Sequence, residues 1–227
     1  GFRQSQNARF TVLFEGAPEE ALAAAILARL DQAWERVSRT IFLVPRDVIT
    51  ITLYTEQQFT DITRAPAWAA AAFDGRIRLP VRGALADPAE LDRVLTHELA
   101  HAFVRAAGAR NVPMWLDEGI ASVAEPRDLD WARAEVRRAG RLLPPGTLMS
   151  PFRALPDGAA RLAYAQSALL VRSIIDRHSE GALNALVGDL GRGVPFEEAF
   201  RARMFVSWPS FFARFAAEAG VPYDERA

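Results

Sequence analysis

Residues 87–108 read DPAELDRVLTHELAHAFVRAAG, and the rest of the chain is best read outward from them. Asp87 can offer a side-chain oxygen to open helix N–H groups. Pro88 suits the first helical position and Glu90 stands at the third, so a capping-box start is expected, with the helix running to Gly108. Inside it, His97-Glu98-Leu99-Ala100-His101 is H-E-x-x-H. Residues four apart lie on one helix face, so both imidazoles can reach one ion, while the Glu between them is offset enough to act on water instead of ligating. That pattern is the geometry of a hydrolytic site. The plainer reading, two surface histidines at this spacing by accident, is disfavoured by the capped helix and by there being only three His in the chain.

A catalytic zinc ion takes three protein ligands and keeps one open position. The third ligand is sought downstream, in Trp115-Leu116-Asp117-Glu118-Gly119, because Gly108 and Pro113 allow the chain to turn and bring a second helix antiparallel to the first. Glu118 is the expected ligand and Asp117 its rival. On the plainer reading Asp117 is the N-cap of that helix and Glu118 an ordinary first-turn acid. One Zn2+ is the cofactor expected from this set.

Composition narrows the alternatives. The chain has 227 residues, half of them apolar, enough to bury a real core in one large domain or two packed lobes. The 27 basic residues nearly balance the 28 acidic ones, which leaves no global field for nucleic acid or an anionic membrane. All the basic residues are Arg, which reads as codon bias and discounts Arg clusters as signals. Without cysteine there is no disulfide, thiolate nucleophile or thiolate metal site, so a metal must use His and carboxylates. No apolar run approaches the roughly 18 to 20 residues of a membrane span. The first residue is Gly, so an upstream signal, anchor or domain is conceivable, and a bacterial extracytoplasmic or membrane-tethered setting is the expectation.

Before the motif, strand and helix signals alternate. Phe10, Val12 and Phe14 alternate with Thr11 and Leu13 as in a half-buried strand. Leu22, Ile26, Leu30, Ala33 and Val37 then make one apolar helix face over residues 18–37. Residues 48–55, VITITLYT, are rich in β-branched side chains and read as a central strand. Residues 73–81 read as a short exposed strand. After the motif the chain is almost all helical, with helices expected near 128–139, 159–177, 180–190, 195–203 and 208–219. Trp208, Phe211, Phe212 and Phe215, at helical spacing, are expected core. The fold class is therefore α+β: a small mixed lobe over residues 1–86, then a metal-binding helix and helical lobe over 87–227.

Together FDGRI at 73–77, HELAH at 97–101, PMWLDEGIA at 113–121, YAQSALLV at 164–171 and PFEEAF at 195–200 resemble the peptidase MA-like metallopeptidases, the gluzincins related to thermolysin. The resemblance covers most of the chain and implies a single zincin-like catalytic domain acting on peptide or protein substrates. It implies Glu98 as general base and Tyr164 as hydroxyl donor to the oxyanion. It also implies Asp74, Gly75, Arg76 and Ile77 as a strand that pairs with an extended substrate. In thermolysin-like enzymes the residue four after the ligand Glu is often an Asp that orients a zinc-bound His. Here that position is Ser122, and either its hydroxyl or Glu125 is available to accept from an imidazole. No Gly-x-Met-Glu-Asn segment precedes the motif, which speaks against an aminopeptidase of that kind.

Each of these readings has a simpler counterpart. Tyr164 can be a packed helix tyrosine, and residues 74–77 an edge strand guarded by Arg76 and Arg78. His178 reads as an imidazolium favouring a helix C-terminus. A zinc-stabilised binding module without turnover, or hydrolysis of a non-peptide amide or ester, would use the same residues.

Overall fold

Alternation and helical periodicity translate directly into elements. The computed structural model describes residues 3–15, 18–54, 72–73, 75–80, 87–108 and 111–223. The described strands are β1 (Arg3–Gln6), β2 (Phe10–Phe14), β3 (Ile49–Tyr54), β4 (Ala72–Phe73) and β5 (Ile77–Pro80). The helices are α1 (Pro18–Thr40), α2 (Pro88–Gly108), α3 (Met114–Ala124), α4 (Asp130–Ala139), α5 (Asp157–His178), α6 (Glu180–Gly191), α7 (Phe196–Met204) and α8 (Trp208–Ala219). The fold is thus mixed α+β and mostly helical. The residues group into two compact units. One comprises Gly1–Arg39, Val44–Phe103 and Ala124–Pro126; the other comprises Thr40–Leu43, Val104–Val123 and Arg127–Ala227.

In the first unit the strands form one sheet in the order β1-β2-β3-β5-β4. β3 is central, parallel to β2 on one side and to β5 on the other. α1 supplies the crossover that a parallel β2–β3 pair requires. Phe10, Val12, Ile51, Leu53, Ile77 and Leu79 point to one buried face, as a period of two dictates. α1 turns Leu22, Ile26, Leu30, Ala33 and Val37 inward, all of them buried. Its Trp34 packs edge-on against Phe10 of the sheet at 5.8 Å and against Phe103 of α2 at 4.7 Å. Arg29 of α1 donates to Asp92 at 2.8 Å, so a polar tie and an aromatic one fix α2 along its length.

Two expectations change here. The stretch 73–81 is not one strand: β4 and β5 form an antiparallel pair, Phe73 opposite Ile77, around Gly75 at φ 108°. A positive φ of that size is open to glycine and strained for any side chain, which breaks the run. Among the described residues the outer strands of the sheet are β1 and β4, whereas β5 is hydrogen-bonded on both sides. β1, with the all-polar sequence RQSQ, carries no apolar alternation to read and forms by pairing antiparallel with β2.

In the second unit, helices pack around α5. Trp115 of α3 stacks on Trp208 at 4.6 Å with the rings 10° apart, and Phe200 meets Trp208 edge-on at 5.4 Å. Phe211, Phe212 and Phe215 are buried with Trp208, as their spacing requires. Gln166 of α5 bonds both backbone groups of Leu143, accepting from its N–H at 2.7 Å and donating to its carbonyl at 3.2 Å. Asn184 of α6 likewise joins Thr40 and Phe42, donating to the carbonyl of the first and accepting from the N–H of the second.

Candidate metal centre

α2 begins as its first residues specify. Asp87 Oδ1 accepts from the N–H groups of Ala89 and Glu90 at 3.0 and 3.1 Å, an N-cap that satisfies two of the open donors. The reciprocal half of the capping box is absent, because the Glu90 carboxylate takes Arg93 instead, Nε to Oε2 at 2.7 Å. Two turns into the helix His97 and His101 stack up one face, ring centroids 4.9 Å apart. Glu98 lies off that row and is 8 % exposed.

α3 starts earlier than the plainer reading, with Asp117 as N-cap, would have it. Leu116 and Asp117 donate to the Pro113 carbonyl, so Asp117 belongs to the first turn and is not the N-cap. This brings Glu118 a full turn into the helix. Gly119 beside it is held by its neighbour: a Cβ there would lie 2.4 Å from the Ser167 carbonyl and 2.5 Å from a Val171 methyl on α5. The close approach of the two helices requires a glycine.

The ligand atoms of His97, His101 and Glu118 all lie within 4.8 Å of one another, and Asp117 is not in that group. Two nitrogens and one carboxylate oxygen, with no thiolate, could hold a metal ion and match in kind the donor set of three-ligand zinc sites. The setting of His97 fits such a role. Its Nδ1 donates to Glu125 Oε1 at 2.7 Å, which directs the lone pair of Nε2 to the other side of the ring. The sequence left Ser122 and Glu125 as alternatives for this contact, and the carboxylate takes it. The Glu125 side chain is 1 % exposed and its Oε1 also accepts from Arg93 Nη1 at 3.2 Å.

The model of the peptidase MA superfamily matches residues 33–206, three-quarters of the chain. The chain belongs to the peptidase MA superfamily. That span includes the HELAH, PMWLDEGIA, YAQSALLV and PFEEAF segments. No curated protein matches the chain. Within this peptidase MA chain, Tyr164 is half-buried on α5 and meets Phe152 edge-on at 5.3 Å. Gly75 and Arg76 are exposed at the bend, Ile77 is buried in β5, and Asp74 lies outside the described residues. His178 closes α5 as expected, but its pKa is pushed below the ordinary imidazole value by burial and by Arg177 and Arg214, which opposes the imidazolium read from the sequence. No helix among the described residues is long and apolar enough to cross a membrane.

Sequence reasoning missed Arg93. The signal was present, since Arg93 stands one turn before His97 on the same helix face. It was hidden by discounting arginines in an arginine-rich chain.

Proposed function

We propose that the chain is a zinc-dependent metallopeptidase of the gluzincin type, with one ion held by His97, His101 and Glu118. The observation that carries this is the convergence of those three ligand atoms; beside it stands a second acid, the buried Glu98, between the two histidines in sequence and outside the ligand set. A purely structural metal site has no use for that carboxylate. When bound, the ion would polarise the scissile carbonyl and acidify water.

The chain's own groups supply the remaining chemistry. The Glu98 carboxylate accepts a proton from the attacking water and returns it to the leaving amine. The Tyr164 hydroxyl donates to the developing oxyanion without bringing a charge. Glu125 keeps His97 in the tautomer that presents Nε2. Gly75 and Arg76, exposed at the bend between β4 and β5, lie on the substrate side, where an extended peptide adds to the sheet along the edge strand β4; Ile77, buried in β5, backs that edge from within, and Asp74 stays an expectation outside the described residues.

Metal analysis coupled to digestion of a peptide library tests the reading. The purified protein should carry close to one equivalent of zinc, and Glu98→Gln should keep the zinc and the thermal stability. The same variant should lose about a hundredfold to ten-thousandfold in cleavage rate, the usual contribution of a general base. A wild-type protein that binds zinc but cleaves nothing in the library would replace the peptidase with a metal-stabilised binding module. Equal cleavage by both proteins would move the base to another residue.

A further inference from the structure

Arg93 is bound at both ends of its guanidinium. Nε meets Glu90 Oε2 at 2.7 Å, and Nη1 meets Glu125 Oε1 at 3.2 Å. The second acceptor is the same oxygen that takes His97 Nδ1 at 2.7 Å. One carboxylate oxygen therefore holds a guanidinium and an imidazole that stand four residues apart on a single helix face. All four side chains belong to the first unit, and three of them come from α2.

We propose that Arg93 is a positioning residue for metal binding: by anchoring Glu125 it fixes the ring orientation and tautomer of His97, so that Nε2 is the nitrogen offered to the ion. The proposal rests on the zinc reading above and extends it to a residue that touches neither metal nor substrate.

The physical case begins with Glu125. A carboxylate almost wholly removed from water is costly unless it is paired and hydrogen-bonded. One imidazole N–H does not meet that cost, whereas a charge-assisted bond from a guanidinium does. Arg93 brings this charge in a fixed plane, and Glu90 holds the plane from the other side, so the guanidinium cannot swing out to solvent without breaking two contacts. The Arg93 pKa is raised above its usual value, first by the hydrogen bond it donates to Glu90 and also by the charges of Glu125 and Glu90, so the group stays cationic. A mere surface pair three residues apart would explain Glu90 and nothing more. It would not explain a bond from Arg93 to a buried acid 32 residues along the chain, on the oxygen that His97 uses.

The test compares wild type, Arg93→Ala and Arg93→Lys in the full chain by two measurements. Zinc affinity is read by competition with a chromophoric chelator. The ring state of His97 is read in the metal-free protein at neutral pH by nitrogen-15 NMR. We expect Arg93→Ala to weaken zinc binding about 10- to 100-fold, the usual effect of losing support behind a metal ligand. The His97 ring should lose its Nδ1-protonated signature, and Arg93→Lys should restore part of both. Should the alanine variant fail to fold, Arg93→Gln makes the same comparison. Zinc affinity within twofold of wild type together with an unchanged His97 ring overturns the proposal. So does a loss of thermal stability with the ring signature unmoved, which is what a purely structural arginine would give. If wild type itself binds no zinc, the metal reading falls, and the ring measurement alone decides whether Arg93 positions His97.

Discussion

Glu118 and Asp117 are neighbours in the chain but point about 100° apart around α3, because a helix turns once in 3.6 residues. Only one can join His97 and His101, and the grouped ligand atoms select Glu118. Glu118→Ala should therefore abolish stoichiometric zinc binding, while Asp117→Ala should retain it, as read by metal content after dialysis. Retention by both would remove Glu118 from the ligand set. At Tyr164 the expected loss is narrower. Tyr164→Phe removes one hydroxyl donor and should slow peptide cleavage about a hundredfold to a thousandfold, as oxyanion donors do, with zinc content unchanged. Unaltered turnover would return Tyr164 to a packing partner of Phe152.

Helix ends and helix contacts carry the next level. The Asp87 cap satisfies two N–H groups of α2, so Asp87→Ala should lower stability by about 1 kcal/mol in denaturant titration. Gly119→Ala is the harsher change. The added Cβ would meet a backbone carbonyl and a methyl of α5 well inside contact distance, and the carbonyl cannot yield without moving a helix. Overpacking of this kind costs about 1 to 3 kcal/mol, and here it displaces the turn that carries Glu118. The variant should lose thermal stability and zinc affinity together; a fully stable Gly119→Ala protein with normal zinc binding would show that the close approach is not needed.

For the whole molecule, two titratable groups tie stability to pH in separate windows. Asp189 is buried, with Arg203 Nε at 2.6 Å, and the hydrogen bond and charge of Arg203 hold its pKa below the ordinary carboxylate value of about 3.8. A group whose folded pKa is depressed contributes stability that is fully present above its unfolded pKa and is lost as pH falls through the folded one. The gap in melting temperature between wild type and Asp189→Asn should thus be widest above about pH 4 and close at lower pH. His178 obeys the same sign in a higher window. Burial, Arg177 and Arg214 depress its pKa, so the fold prefers the neutral ring and weakens as pH falls below about 6.5. His178→Gln should flatten that part of the melting curve; an identical slope in both proteins would assign the effect elsewhere.

Local chemistry was enough to read much of this protein. The apolar period of α1, the β-branched run of β3, the Asp87 cap and the H-E-x-x-H spacing each act over a few residues, so the sequence states them outright. The aromatic helix at residues 208–219 is legible for the same reason. What the tertiary structure alone decided involves partners distant in the chain. β1 has no apolar signal and exists through its pairing with β2. The start of α3 depends on the Pro113 carbonyl, which puts Asp117 in the first turn and removes the plainer reading of it as the cap, while the choice of Glu118 over Asp117 was already open to the sequence. The choice of Glu125 over Ser122 as acceptor for His97 depends on where the end of α3 leaves a carboxylate, and Arg93 acquires meaning only once that carboxylate is in place. Spacing along a chain determines which side chains share a face; which faces meet is set by packing between segments, and no period in the sequence records it.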